Sequence, residues 1–231
     1  AKTIDTRMQV HVSETKLEHE ECIARHGKTP AAYLEETGIF DVPAVAAHCV
    51  HATEEDLEIF RRKGVTVAIN PVSNMKLDSG ICNGGRLLRE GVQVAIGTDS
   101  VASNNSLNFI EEMKLMAIGG KIAADDPTAV TPEEVIRAAT QGGARSQGRY
   151  DCGAIKADNR ADVIVMDLSV PNMHPVHNMT NNIVYSASGS DILMTMIDGK
   201  VVYENGDYCT IDIERVLFEA VTATKNILGR L

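Results

Sequence analysis

The sequence predicts an α/β protein: parallel strands alternating with helices over residues 1–150, then short antiparallel strands and a terminal helix over 151–231. Three observations carry this. Short apolar runs recur with a helical stretch after each, at a spacing of about 25–35 residues, as right-handed β–α crossovers require. The runs are apolar along most of their length, as expected of strands covered on both faces. Beyond about residue 150 the apolar runs shorten and a hairpin signal, Asp198-Gly199, joins two of them.

Met8 to Val12 is read as the first strand and 15–27 as a helix with Leu17, Cys22, Ile23 and Ala24 for its inner side. Pro30 opens a short helix that stops at Gly38, a residue suited to the position after a helix end. Val42 to His48 is the second strand. Thr53-Glu-Glu-Asp56 then starts a helix, with Thr53 accepting from an orphan amide and the acids at the positive end of the dipole. Leu57 and Phe60 point inward, and Gly64 ends this helix. The third strand is Val65 to Ile69, followed by a loop over 70–80 and a helix over roughly 84–90. Val92 to Ile96 is the fourth strand, with a helix over 107–118 after it. Thr131-Pro-Glu-Glu134 forms a capping box with proline at the first helical position, opening a helix to about 140.

Four such units make half of a (β/α)₈ barrel, which takes about 250 residues in full. A four-stranded doubly wound sheet is the other solution, although neither G-x-G-x-x-G nor G-x-x-x-x-G-K-[ST] occurs. In the last third, residues 161–167, 182–185, 192–197 and 200–203 read as strands of a small β-sandwich segment, and 212–229 as the closing helix.

Composition bounds the function. The chain has 231 residues, 44% hydrophobic and 23% charged, within the range of globular proteins. A net charge of -10 opposes a nucleic-acid or anionic-membrane surface, since both need a basic footprint. Five separated cysteines (Cys22, Cys49, Cys82, Cys152, Cys209) include no Cys-x-x-Cys and read as reduced thiols of a cytoplasmic protein. The opening stretch Ala1-Lys-Thr-Ile-Asp-Thr-Arg7 runs almost at once into a core strand, so the chain is expected to begin inside a larger fold.

In a barrel the chemistry sits where strands end, so polar residues closing apolar runs are the candidates. They are His11 and Glu14 from the first strand, His48 from the second and Asp99 from the fourth. Imidazole with carboxylate suits Zn²⁺ or Fe²⁺. Each has a plainer reading: a hydrogen-bonded structural histidine, a first-turn acid complementing a dipole for Glu14, a loop cap for Asp99. Their joint placement on one face of the sheet favours function. His19, His26 and His51 are expected at the surface, and His174 and His177 lie in the tail.

The runs His11-Val-Ser-Glu-Thr15, Ala46-Ala-His-Cys49, Asn70-Pro-Val-Ser-Asn-Met-Lys-Leu77 and Gly97-Thr-Asp-Ser-Val-Ala-Ser-Asn-Asn105 resemble the amidohydrolase superfamily. Within it, the likeness is to the deaminases of methylthioadenosine and S-adenosylhomocysteine. Ala161-Asp-Val-Ile-Val165 and Met196-Ile-Asp-Gly-Lys-Val-Val202 look like that superfamily's C-terminal sandwich segment.

The resemblance makes His11 a metal ligand from the fifth barrel strand and Asp99 one from the eighth. It makes Glu14 the proton shuttle at the substrate, His48 the partner of the attacking hydroxide or substrate, and Ser103 a substrate contact, with Glu14 and Asp99 also facing the substrate. It implies hydrolytic deamination of an adenine nucleoside with one divalent metal, zinc or else iron. The other readings are an amidohydrolase acting on guanine, cytosine or a triazine, and a non-catalytic half-barrel. The family's His-x-His pair does not occur in this sequence. The metal site is therefore expected to be incomplete, with barrel strands one to four outside the chain and the chain inactive alone. The expected partners are a small-molecule nucleoside and either a second copy or the missing N-terminal half, with no nucleic acid or membrane.

Overall fold

A computed structural model describes residues 6–230. Ala1–Asp5, part of the stretch read as opening inside a larger fold, lie outside the described residues, as does Leu231. The first sheet grows from four strand–helix steps: β1 (Met8–Val12), α1 (Lys16–His26) and α2 (Pro30–Glu36); β2 (Ala44–His48) and α3 (Glu54–Lys63). Next come β3 (Thr66–Ile69), α4 (Pro71–Lys76) and α5 (Gly84–Arg89), then β4 (Gln93–Ile96), α6 (Val101–Asn104) and α7 (Phe109–Ala124). Two further helices, α8 (Pro132–Arg137) and α9 (Gly143–Ser146), are joined by a π-helical turn over Ala138–Gly142.

All neighbours in this sheet are parallel and their order is β1-β2-β3-β4. Each crossover steps to the adjacent strand, and the order never reverses. A doubly wound sheet would show a reversal, so the run is a barrel segment. The register pairs Val12 with His48 and Ile69 with Ile96, aligning the C-terminal strand ends.

Local chemistry explains the helix limits. Thr53 and Asp56 form a reciprocal capping box, as do Thr131 and Glu134 behind Pro132. Leu57 and Phe60 are buried, and Phe60 meets Phe40 edge-on at 6.0 Å between ring centroids. Close packing against β4 depends on a missing side chain: a Cβ at Gly142 would lie 2.1 Å from the Val94 carbonyl. That approach brings the π-helical turn against β4.

Three sequence expectations are corrected. The 70–80 stretch is not all loop, because Pro71 starts α4. Residues 182–185 are not a strand: they end α10 (Met179–Tyr185), capped by Asn178 accepting from the Asn181 amide. The apolar Ile-Val-Tyr triplet that suggested a strand instead sets Val184 fully inside the core from a helix. The inner side proposed for α1 also fails, since Leu17 is 67% exposed and His19 is the helix's buried residue.

The second sheet is antiparallel in the order β5-β6-β7-β8. It comprises β5 (Val163–Met166), β6 (Ile192–Ile197), β7 (Lys200–Glu204) and β8 (Asp207–Tyr208), and α11 (Ile213–Leu228) follows. The β6–β7 hairpin turns on Asp198 and Gly199, both at positive φ, as expected of a two-residue turn whose twist matches the strands. No helix among the described residues is long and apolar enough to cross a membrane.

Candidate active site

The site forms at the C-terminal ends of β1, β2 and β4. Ser13, just past β1, takes φ +50°, which turns the chain sharply before α1. The Glu18 carboxylate holds this turn by accepting from the Ser13 amide (3.0 Å) and the Glu14 amide (2.7 Å). Ser13 Oγ bonds His19 Nδ1 at 2.9 Å, which explains why His19 is buried and not at the surface. The turn leaves Glu14 Oε2 3.7 Å from His11 Nδ1 and 3.6 Å from His48 Nε2.

His48 closes β2 with φ +71°, and Cys49 follows at +51°. Non-glycine residues rarely adopt this region, and such strain collects at functional sites. The His48 side chain is buried and meets the His11 ring edge-on at 4.7 Å between centroids. Its Nδ1 lies 2.7 Å from Asn74 Oδ1, an acceptor, which puts the ring proton on Nδ1. The Asn70 amide nitrogen touches the same atom at a longer 3.3 Å, so the shorter bond sets the tautomer. Nε2 is then left with its lone pair, buried and without a hydrogen-bond partner among the described residues. Gly97 keeps Asn70 in place, since a Cβ there would lie 2.3 Å from Asn70 Oδ1.

Asp99 stands beyond β4 at φ +58°. Its Oδ2 accepts from Ser73 Oγ (2.5 Å) and its Oδ1 from the Ser100 amide (2.6 Å). Burial works against its ionisation, but these two donors and the nearby His48 and His11 hold the carboxyl below its ordinary value. Ser103 lies in α6, where its carbonyl accepts from Lys76 Nζ at 2.7 Å. Among the described residues, no hydrogen bond joins its side chain to the histidine–carboxylate group.

The donors suit a divalent cation. His11, Glu14 and His48 each offer a ligand atom, all within 4.8 Å of one another, and the lone pair of His48 Nε2 faces a carboxylate oxygen. Two electron-pair donors so placed call for a positive charge or a proton between them. Asp99 is outside that trio but interacts electrostatically with both histidines. Of the five residues expected from sequence, four therefore converge and Ser103 is held only through its backbone.

Sequence reasoning missed Ser73, Asn74 and Glu18. Pro71, at the start of a helix, was the available signal for α4, which delivers Ser73 and Asn74. The remaining histidines stay apart: His51 bonds the Ser79 carbonyl at 2.9 Å, and exposed His26 stacks on Tyr33 at 4.0 Å. The described thiols are free, and Cys49 and Cys82 are buried. Burial pushes Cys82 up to about 12, so neither is a nucleophile.

The imidazole and carboxylate cluster at the ends of parallel barrel strands is a candidate metal site on a (β/α)-barrel segment, and comparison with known proteins names the family. The amidohydrolase family matches residues 1–202, and the chain belongs to that family. It is 41% identical over 229 residues to the 5-methylthioadenosine/S-adenosylhomocysteine deaminase of Caldanaerobacter subterraneus subsp. tengcongensis. That match takes in 99% of this chain and 53% of the relative. A zinc-bound adenosine deaminase from Xanthomonas campestris superposes with a TM-score of 0.96 at 33% identity, over 99% of this chain and 52% of that one. The zinc complex of atrazine chlorohydrolase from Arthrobacter aurescens gives a TM-score of 0.88 at 26% identity, over 96% and 49%. The chain thus spans about half the length of the curated relatives it matches.

Proposed function

We propose that this chain carries strands five to eight of a metal-dependent deaminase acting on an adenine nucleoside of the methylthioadenosine or S-adenosylhomocysteine type. On this reading residues 1–150 are its share of the barrel, and 151–231 part of a composite sandwich with the C-terminal helix. The observation that carries it is the unpartnered Nε2 of His48, set 3.6 Å from Glu14 beside His11.

His11 and Asp99 would hold the metal, with further ligands supplied by residues beyond these two. When bound, a divalent cation supplies Lewis-acid activation of water. Asp99, kept ionised by Ser73 and Ser100, accepts the proton of the attacking water. His48, with its ring proton fixed on Nδ1 by Asn74, receives a hydrogen bond from that water at Nε2 and aims it at the amino-bearing carbon. Glu14 gives a proton to the ring nitrogen. Asp99 passes the proton it took from water to the leaving amine, which departs as ammonia, and the remaining hydroxyl proton returns to Glu14 as the carbonyl forms. The Glu14 side chain is 21% exposed, enough to reach a substrate. Ser103 is the proposed contact to the far end of the nucleoside.

Ammonia release by the complete protein, this chain joined to an N-terminal half, from a panel of methylthioadenosine, S-adenosylhomocysteine, guanine, cytosine and chlorotriazine tests this. Preference for the first two supports the reading, and turnover of the triazine alone replaces it with the dechlorinase alternative. Metal stoichiometry tests the incompleteness separately. Tight zinc near one per 231-residue chain would overturn the expectation that two ligands from this chain hold it poorly.

A further inference from the structure

Besides Asp56 and Asp191, which are buried in helix-capping boxes, one buried carboxylate remains outside this chemistry. Glu112 on α7 is 1% exposed and carries no ion pair among the described residues. Its Oε2 accepts from the Val72 amide at 3.0 Å, and its Oε1 accepts from Asn104 Nδ2. Asn104 Nδ2 also donates to the Thr98 carbonyl at 2.7 Å, and Asn104 Oδ1 accepts from the Ser106 amide at 3.2 Å. Val72 immediately precedes Ser73 and Asn74, the partners of Asp99 and His48. Thr98 immediately precedes Asp99.

We propose that Glu112 is a positioning residue for the reaction, a single buried carboxylate that ties the first turn of α4 to the end of α6, in the segment after β4, and so sets His48 and Asp99 at once. This rests on the deaminase reading for its catalytic consequence, but not for its structural one. The physical case is the cost of the alternative. A buried carboxylate without donors is strongly unfavourable, so two donors from two different segments are needed, and meeting that need fixes the segments relative to each other. Burial raises the Glu112 carboxyl above its ordinary value, and the Val72 and Asn104 donors oppose the rise. Both donors are N–H groups, so the arrangement is built for the ionised form. A second tie runs parallel, from Lys76 Nζ at the end of α4 to the Ser103 carbonyl at 2.7 Å and to Asn105 Oδ1.

The test compares Glu112→Gln with Val135→Ala, a fully buried core change on α8, in the complete, metal-loaded enzyme that contains this chain together with an N-terminal half. Glutamine keeps the shape but sets an NH₂ group against one of the two donors. Expected are a fall in kcat of about 10–100-fold with KM within about threefold, typical of groups that orient catalytic side chains. The ¹⁵N signature of the His48 imidazole should change with it. Val135→Ala should lower stability and alter neither readout. The proposal is overturned if Glu112→Gln retains kcat and an unchanged imidazole signature, or if Val135→Ala reproduces its effects. Should Glu112→Gln not fold, Asn104→Ala removes one of the two partners and is read in the same way. If the unaltered protein releases no ammonia from any substrate, the deaminase reading fails, while the His48 signature still decides the role of Glu112.

Discussion

The two sheets of this chain treat their apolar residues in opposite ways. In the parallel sheet Val12, Val67 and Ile69 are buried, and Phe40 and Phe60 seal the helices against it. In the antiparallel sheet Ile164, Val165 and Ile197 are 51%, 42% and 53% exposed, and α11 shows Leu217 at 59% and Phe218 at 72%. Both regions have the apolar content of a core, but among the described residues only the first is covered by a complementary layer. The difference teaches that apolar patterning reports a need for burial and leaves open where the covering surface lies. The site follows the same division, since every residue that converges on His48 belongs to the region with the built core.

The largest effect that should separate the regions is chemical. On the proposed deaminase reading, Glu14→Gln should lower ammonia release by the complete enzyme by about 10²–10⁴-fold, the usual worth of a general acid, while leaving thermal unfolding nearly unchanged. A loss confined to stability would remove Glu14 from the chemistry. Next in size is Phe60→Ala, which should cost about 3–5 kcal/mol in urea unfolding. Phe218→Ala, the same chemical change in the other region, should fall within about 0.5 kcal/mol. Equal values for the two would erase the contrast.

The hydrogen bond from Ser73 to Asp99 gives a smaller, pH-dependent effect. The Asp99 carboxyl is held below 3.8 in the folded protein, so its stabilising contribution is complete above 3.8 and is lost as pH falls through the folded value. Ser73→Ala should therefore cost about 1.5 kcal/mol at neutral pH in metal-free protein, and the deficit should shrink in acid. Denaturation of both proteins across that range measures it. A deficit independent of pH would mean that the hydroxyl acts by packing. The mildest probe is amide exchange, in which 163–208 should open at lower free energy than β1 to β4, because few of its side chains are covered.

Much of the fold was legible because its signals are local. The capping boxes at Thr53 and Thr131, the stop at Gly64 and the Asp198-Gly199 turn depend on residues within one turn of one another. His11, Glu14, His48 and Asp99 were legible by type and by position at strand ends. Misreadings arose where distant packing outweighed local preference, as when Val184 entered the core from a helix, and when α1 buried His19 and left Leu17 exposed.

By itself the sequence determined the order of most strands and helices, several of the caps that bound them and the imidazole and carboxylate groups available at the strand ends. Only the tertiary structure decided how those residues meet. Ser13, His48 and Asp99 hold positive φ because neighbouring strands, the Glu18 carboxylate and the α4 side chains constrain them. Such backbone strain is unfavourable locally and persists only where surrounding contacts over-determine it. For the same reason Ser73, Asn74 and Glu112 were invisible as partners: their roles rest on bonds between residues 26, 26 and 40 positions apart.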